Sequence, residues 1–119
     1  MRTQIDLERT PDSAAQARRA LSDVADHLTP RRLEDARLLV SELVTNAVMH
    51  AATELDLTVL LRGDRLSVAV GDHDRRPLAP RVEVATTDVH GRGSLLLDAL
   101  AESWGQLPRL DGKVVWAIL

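Results

Sequence analysis

Glu42, Asn46 and His50 recur at every fourth position of the run Glu42-Leu-Val-Thr-Asn46-Ala-Val-Met-His50. The surrounding segment has the apolar period of a helix, and helical spacing stacks these three side chains on one face. Ala36, Val40, Leu43, Val44 and Ala47 fall largely on another face. A carboxylate can position or deprotonate a nucleophile, and an amide oxygen is a hard ligand suited to Mg2+. One helix would then bury one side and present a carboxylate, an amide and an imidazole on the other. The same spacing also describes a solvated polar face, with His50 near a helix C-terminus that welcomes a cation.

Two further groups carry potential chemistry. Asp72 follows a run of alternating apolar residues and a glycine; it is either a turn former or an acceptor for an exocyclic amine such as that of adenine. Gly91-Arg92-Gly93-Ser94 precedes an apolar-periodic segment. Glycines there permit close approach of a phosphate to backbone N–H groups at a helix N-terminus, and Arg92 can add a charge-assisted contact. A flexible start to the helix explains the glycines equally well. His27, His73 and His90 show no metal-ligand spacing.

The elements that must position these residues follow from patterning. Residues 3–8 alternate as a short edge strand. Thr10-Pro11 is a cap followed by a proline suited to a first helical position, and Ala14, Ala17, Leu21, Val24 and Leu28 give that helix one apolar stripe. Thr29-Pro30 repeats the start signal for a second helix reaching about His50. Strands are expected over 54–62 and 66–70, joined by a turn at Arg62-Gly63-Asp64-Arg65. Residues 71–90 have no period and form a long loop, of the kind that is either functional or disordered. A third helix starts at residues 91–94, carries Leu96, Leu97, Leu100, Ala101 and Trp104, and ends at Gly105. Asp111-Gly112 is a turn, and Val114 to Leu119 is a closing strand. This order gives an α+β fold, a two-layer α/β sandwich whose mostly antiparallel sheet is covered on one face by three helices.

With 119 residues the chain suits a single domain over its whole length. Its net charge of -3 argues against direct binding to nucleic acid or an anionic membrane. The absence of cysteine excludes disulfides and thiolate metal sites and fits a cytoplasmic setting. No apolar run has the length of a membrane span, and the N-terminus lacks a signal peptide's apolar stretch.

The order of the groups matters more than any one of them. A helix bearing a carboxylate and an amide, a strand ending in Asp, a variable loop, and Gly-x-Gly at a helix start resembles the GHKL (Bergerat-fold) ATP-binding superfamily. More narrowly, the chain resembles the histidine-kinase-like ATPase domain of anti-sigma factor serine/threonine kinases and of stand-alone actinobacterial ATP-binding regulatory proteins. Ser41–Ala51 is similar to the family's N-box, Val68–Asp72 to the strand of the first glycine box, and Gly91-Arg92-Gly93 through Gly105 to the second. Gly112–Trp116 is similar to the closing strand.

The resemblance implies that Asn46 binds Mg2+ bridging the phosphates of ATP, and that Glu42 acts as the base or polarises the attacking hydroxyl. It implies that Asp72 reads the adenine amino group, that His73–His90 forms a lid, and that Gly91, Arg92 and Gly93 lie against the phosphates. His50 and Ser94 complete the expected nucleotide-binding set. The chain departs from the family at Asp74-Arg75-Arg76, where a later glycine is usual, and at Ser94, which is able to cap its helix where Leu is usual. A third departure is Val114 in place of a common Thr, which is expected to remove a hydroxyl near the adenine. Partners implied are a sigma factor or an anti-anti-sigma antagonist protein, with homodimerisation common in the family. A catalytically weak module that retains ATP and acts by sequestering a partner is the alternative.

Overall fold

The computed structural model describes residues 1–50, 53–73 and 91–119, without the side chains of residues 50 and 91–94. Among the described residues, five strands and four helical segments run in the order β1 (Arg2–Leu7), α1 (Ser13–Arg19), α2 (Ser22–Ala25), α3 (Pro30–His50), β2 (Leu55–Arg62), β3 (Arg65–Asp72), α4 (Gly91–Leu100), β4 (Ser103–Arg109) and β5 (Gly112–Ile118). The strands form one sheet in the order β1-β2-β3-β5-β4, antiparallel at every junction. The α+β layer architecture expected from the sequence is therefore the one observed.

Alternation fixes which face of the sheet is buried. Leu55, Leu57, Val59 and Leu61 of β2 and Leu66, Val68 and Val70 of β3 point into the core, joined by Ala117 of β5 and Leu7 of β1. The helices supply the other half: Ala17, Leu21, Val24, Leu28, Ala36, Leu39, Val40, Leu43, Val44 and Leu97. The β2–β3 hairpin turns through Gly63 and Asp64, with Arg62 opposite Arg65. Gly63 has φ +60, the positive angle that a type II′ hairpin needs at its first central position.

Three sequence expectations require correction. The first helix is two segments, because Ala20, Leu21 and Val24 donate to carbonyls three residues back rather than four, the tighter 3₁₀ pattern. Its apolar stripe nevertheless continues, with Ala17, Leu21, Val24 and Leu28 all buried. The helix also begins later than Thr10-Pro11: the Thr10 hydroxyl accepts from Asp12 N–H at 3.2 Å and the buried Ser13 hydroxyl accepts from Thr10 N–H at 3.0 Å. These local bonds hold a turn ahead of the first helical residue. Finally, the third apolar-periodic segment stops at Leu100, and Ser103–Arg109 is a fifth strand. Gly105 is thus no helix cap; it lies opposite Trp116 in the β4–β5 ladder. Trp104, whose indole N–H donates to Asp98 at 2.7 Å, packs against the core from β4 and so mimicked the helical period.

Candidate functional site

Chain direction gathers the chemistry-bearing residues at one end of the sheet. β2 begins at Leu55, shortly after the C-terminal end of α3, and Leu55 pairs with Asp72, the last residue of β3. The end of α3 that carries Asn46 and His50 is therefore at the Asp72 end. α4 leads into Ser103, whose partner Ile118 marks the opposite end. The first turn of α4 is Gly91-Arg92-Gly93-Ser94.

α3 is well anchored. Thr29 caps it as expected, its hydroxyl accepting from Arg32 N–H at 3.2 Å. Near the other end Arg9 Nε donates to the Val48 carbonyl at 3.0 Å, a cation placed where the helix carbonyls need one. Arg18 donates to the Ser41 hydroxyl at 2.9 Å. Glu42 and Asn46 are half-buried beside the fully buried Leu43 and Val44, so they flank the core rather than lie on a fully solvated face.

Asp72 continues the inward phase of Leu66, Val68 and Val70 and is buried. Lys113 has the inward phase of Val115 and Ala117 in β5, and its Nζ lies 2.8 Å from Asp72 Oδ2. The Lys113 N–H also donates to Asp72 Oδ1 at 3.3 Å. Gly112 permits this approach: a Cβ there would lie 2.0 Å from the Asp72 carbonyl oxygen. Val114 has the opposite phase, pairing with Gly71 on the outer face. The expected loss of a hydroxyl beside the adenine does not follow, because position 113, not 114, meets the Asp72 carboxylate.

The outer face of the same end carries an ion cluster. Arg109 of β4 crosses over Gly71, where a Cβ would lie 2.5 Å from its Nη1. Its Nη2 donates to Asp56 Oδ2 of β2 at 2.8 Å and to the Asp72 carbonyl at 2.9 Å. Its Nε is buried and 3.3 Å from Asp111 Oδ1, without the alignment of a hydrogen bond. His73 Nδ1 donates to Asp111 Oδ2 at 2.7 Å, and its Nε2 is 3.5 Å from Asp56. The hydrogen bond to Asp56 raises the Arg109 pKa above its ordinary value despite burial. That from His73 lowers the Asp111 pKa. Asp72 is thereby held twice, through its carboxylate by Lys113 and through its backbone by Arg109.

Of the residues singled out from sequence, Glu42, Asn46 and Asp72 lie on the elements expected, and Gly91, Arg92, Gly93 and Ser94 form the first turn of α4. The side chains of His50, Arg92 and Ser94 lie outside the described residues, as do Asp74, Arg75, Arg76 and the proposed lid from residue 74 onward. Sequence reasoning missed Lys113, Arg109 and Asp56. Lys113 had a signal: strand phase puts it on the face of Val115 and Ala117, and a buried-face lysine requires a carboxylate. Arg109 had none, because its strand was not recognised. Among the described residues no group of three His, Asp or Glu is arranged to hold a metal ion, and no helix is long and apolar enough to cross a membrane.

Comparison with known proteins agrees with the fold. The sequence model of the family described as histidine kinase-like ATPase domain matches residues 7–119. No curated protein matches the chain.

Proposed function

Since the chain belongs to the histidine kinase-like ATPase domain family, we propose that it is an ATP-binding regulator of the anti-sigma-factor type, which phosphorylates a serine of an antagonist protein. The observation that carries this reading is the buried Asp72 carboxylate, at the end of the sheet where β2 leaves the Asn46 end of α3. A carboxylate accepts several donors at once, and an aminopurine offers one beside those of Lys113. ATP supplies the phosphoryl group, and Mg2+ offsets its charge.

The chain's own residues divide the remaining tasks. Asp72 accepts from the adenine amine. Asn46 offers its amide oxygen to Mg2+, and backbone N–H groups of Gly91, Arg92 and Gly93 face the phosphates at a helix N-terminus. Ser94, the fourth residue of that helix and so not its cap, and His50 complete the nucleotide-binding set. Glu42, one turn before Asn46, orients the acceptor hydroxyl and takes its proton. Positioning and charge neutralisation supply most of the catalysis in phosphoryl transfer.

The protein partner is a sigma factor or its anti-anti-sigma antagonist, and a second copy of the chain pairs through the edge strand β1. The decisive experiment titrates the protein with ATP and Mg2+ and then assays phosphotransfer to the antagonist. Transfer that Glu42→Ala abolishes supports the kinase reading; transfer that survives this change sinks it. Asp74-Arg75-Arg76, in place of a glycine of the first box, favours a second reading, a nucleotide-holding module that sequesters its partner. That reading expects ATP-dependent stabilisation and no turnover.

A further inference from the structure

We propose that Lys113 is a second base-reading residue, donating to the ring nitrogen of a purine beside the exocyclic amine that Asp72 accepts. The inference rests on the reading of Asp72 as the adenine-binding carboxylate. Lys113 Nζ lies 2.8 Å from Asp72 Oδ2, and the lysine is the more exposed member of the pair, 20% against 5%. The ammonium has three donors. One serves Asp72, and the lysine's exposure leaves it open to a ligand seated there.

Together the pair presents an acceptor and a donor side by side. The Watson–Crick edge of adenine offers the complement, an amine donor next to a nitrogen acceptor. Neither neighbour of Lys113 can supply this donor: Gly112 has no side chain, and Val114 faces away from the Asp72 carboxylate. Lys113 also neutralises the carboxylate.

The test is a calorimetric cycle on the full chain. Wild type and Lys113→Met are titrated with Mg2+ and each of three nucleotides: ATP, the deaza analogue in which that ring nitrogen is C–H, and the purine triphosphate lacking the amine. A hydrogen bond to a charged group corresponds to about tenfold or more in affinity. Wild type is expected to lose about tenfold on the deaza change, whereas Lys113→Met, already weakened for ATP by a similar factor, loses little more. Equal deaza losses in both proteins, or Lys113→Met binding ATP as tightly as wild type or tighter, would overturn the proposal. If Lys113→Met fails to fold, the same cycle is run in the Asp72→Asn background, where Asp72→Asn alone is the reference and its Lys113→Met double variant is expected to show the smaller deaza loss. Wild type that ignores removal of the amine, or does not bind ATP, removes the base-reading role of Asp72 itself, an outcome distinct from failure at Lys113 alone.

Discussion

Gly112 is the residue on which the site's geometry is most sensitive. A Cβ at this position would lie 2.0 Å from the Asp72 carbonyl oxygen and 2.7 Å from its carbonyl carbon. The clash is with backbone, so no rotamer change relieves it. Gly112→Ala must push β5 from β3 and draw Lys113 from Asp72. Overpacking costs about 1–3 kcal/mol, and this substitution is expected at or above the top of that range in urea denaturation. Gly105→Ala is the control. Its Cβ would meet the Trp116 ring at 3.0 Å, a side chain that can shift, so its cost should be the smaller. A Gly112→Ala midpoint no lower than that of Gly105→Ala would contradict the close approach of β5 to Asp72.

At the scale of elements, Arg109 adds a side-chain tie across three strands of the sheet. Arg109 leaves β4, an edge strand, passes over Gly71 of β3 and reaches Asp56 on β2. Both side chains are partly buried, 28% and 16% exposed, so removing the guanidinium leaves Asp56 poorly compensated. Removing one member of a fully buried pair costs about 3–5 kcal/mol and an exposed pair contributes at most about 1. Arg109→Leu is therefore expected to cost about 1–3 kcal/mol. A double-mutant cycle with Asp56→Asn, read by urea unfolding, should give a coupling well outside error; purely additive losses would show that the staple is not an energetic unit.

The same elements explain what the sequence disclosed. The hairpin of β2 and β3, the capped start of α3 and the phase that buries Asp72's neighbours follow from alternation and turn chemistry, which act locally. β4 escaped notice because Leu96, Leu97, Leu100, Ala101 and Trp104 keep a helical period across the boundary at Leu100, and its own run contains Gly105 and Pro108. Its strand state is set by pairing with β5, a tertiary term that overrides propensity. With β4 unseen, the crossing of Arg109 to Asp56 was beyond inference. Lys113, by contrast, was deducible from the phase of β5 once Asp72 was placed on the inner face.

For the molecule as a whole, proton and nucleotide binding are two independent handles on the same end of the sheet. Asp111 has a folded pKa below its ordinary value of 3.8, chiefly through the hydrogen bond from His73. Its contribution is present above the unfolded pKa and disappears as pH falls through the lower folded value. Wild type and Asp111→Asn should therefore differ in urea midpoint at neutral pH and converge in acid below about 3.8. Arg109 behaves oppositely in sign: its pKa is raised, so its stabilisation is complete throughout the neutral range and adds no acid dependence there. The nucleotide acts by mass action. Ligand that binds only the folded state stabilises by about 2.7 kcal/mol at a hundred times its Kd, and the melting temperature should climb steadily with Mg-ATP. Asn46→Ala, on a helix anchored independently by Thr29 and Arg9, should keep the ligand-free melting temperature close to wild type while losing most of the Mg2+-dependent climb. An undiminished climb in Asn46→Ala would remove Asn46 from the magnesium site even though the nucleotide still bound.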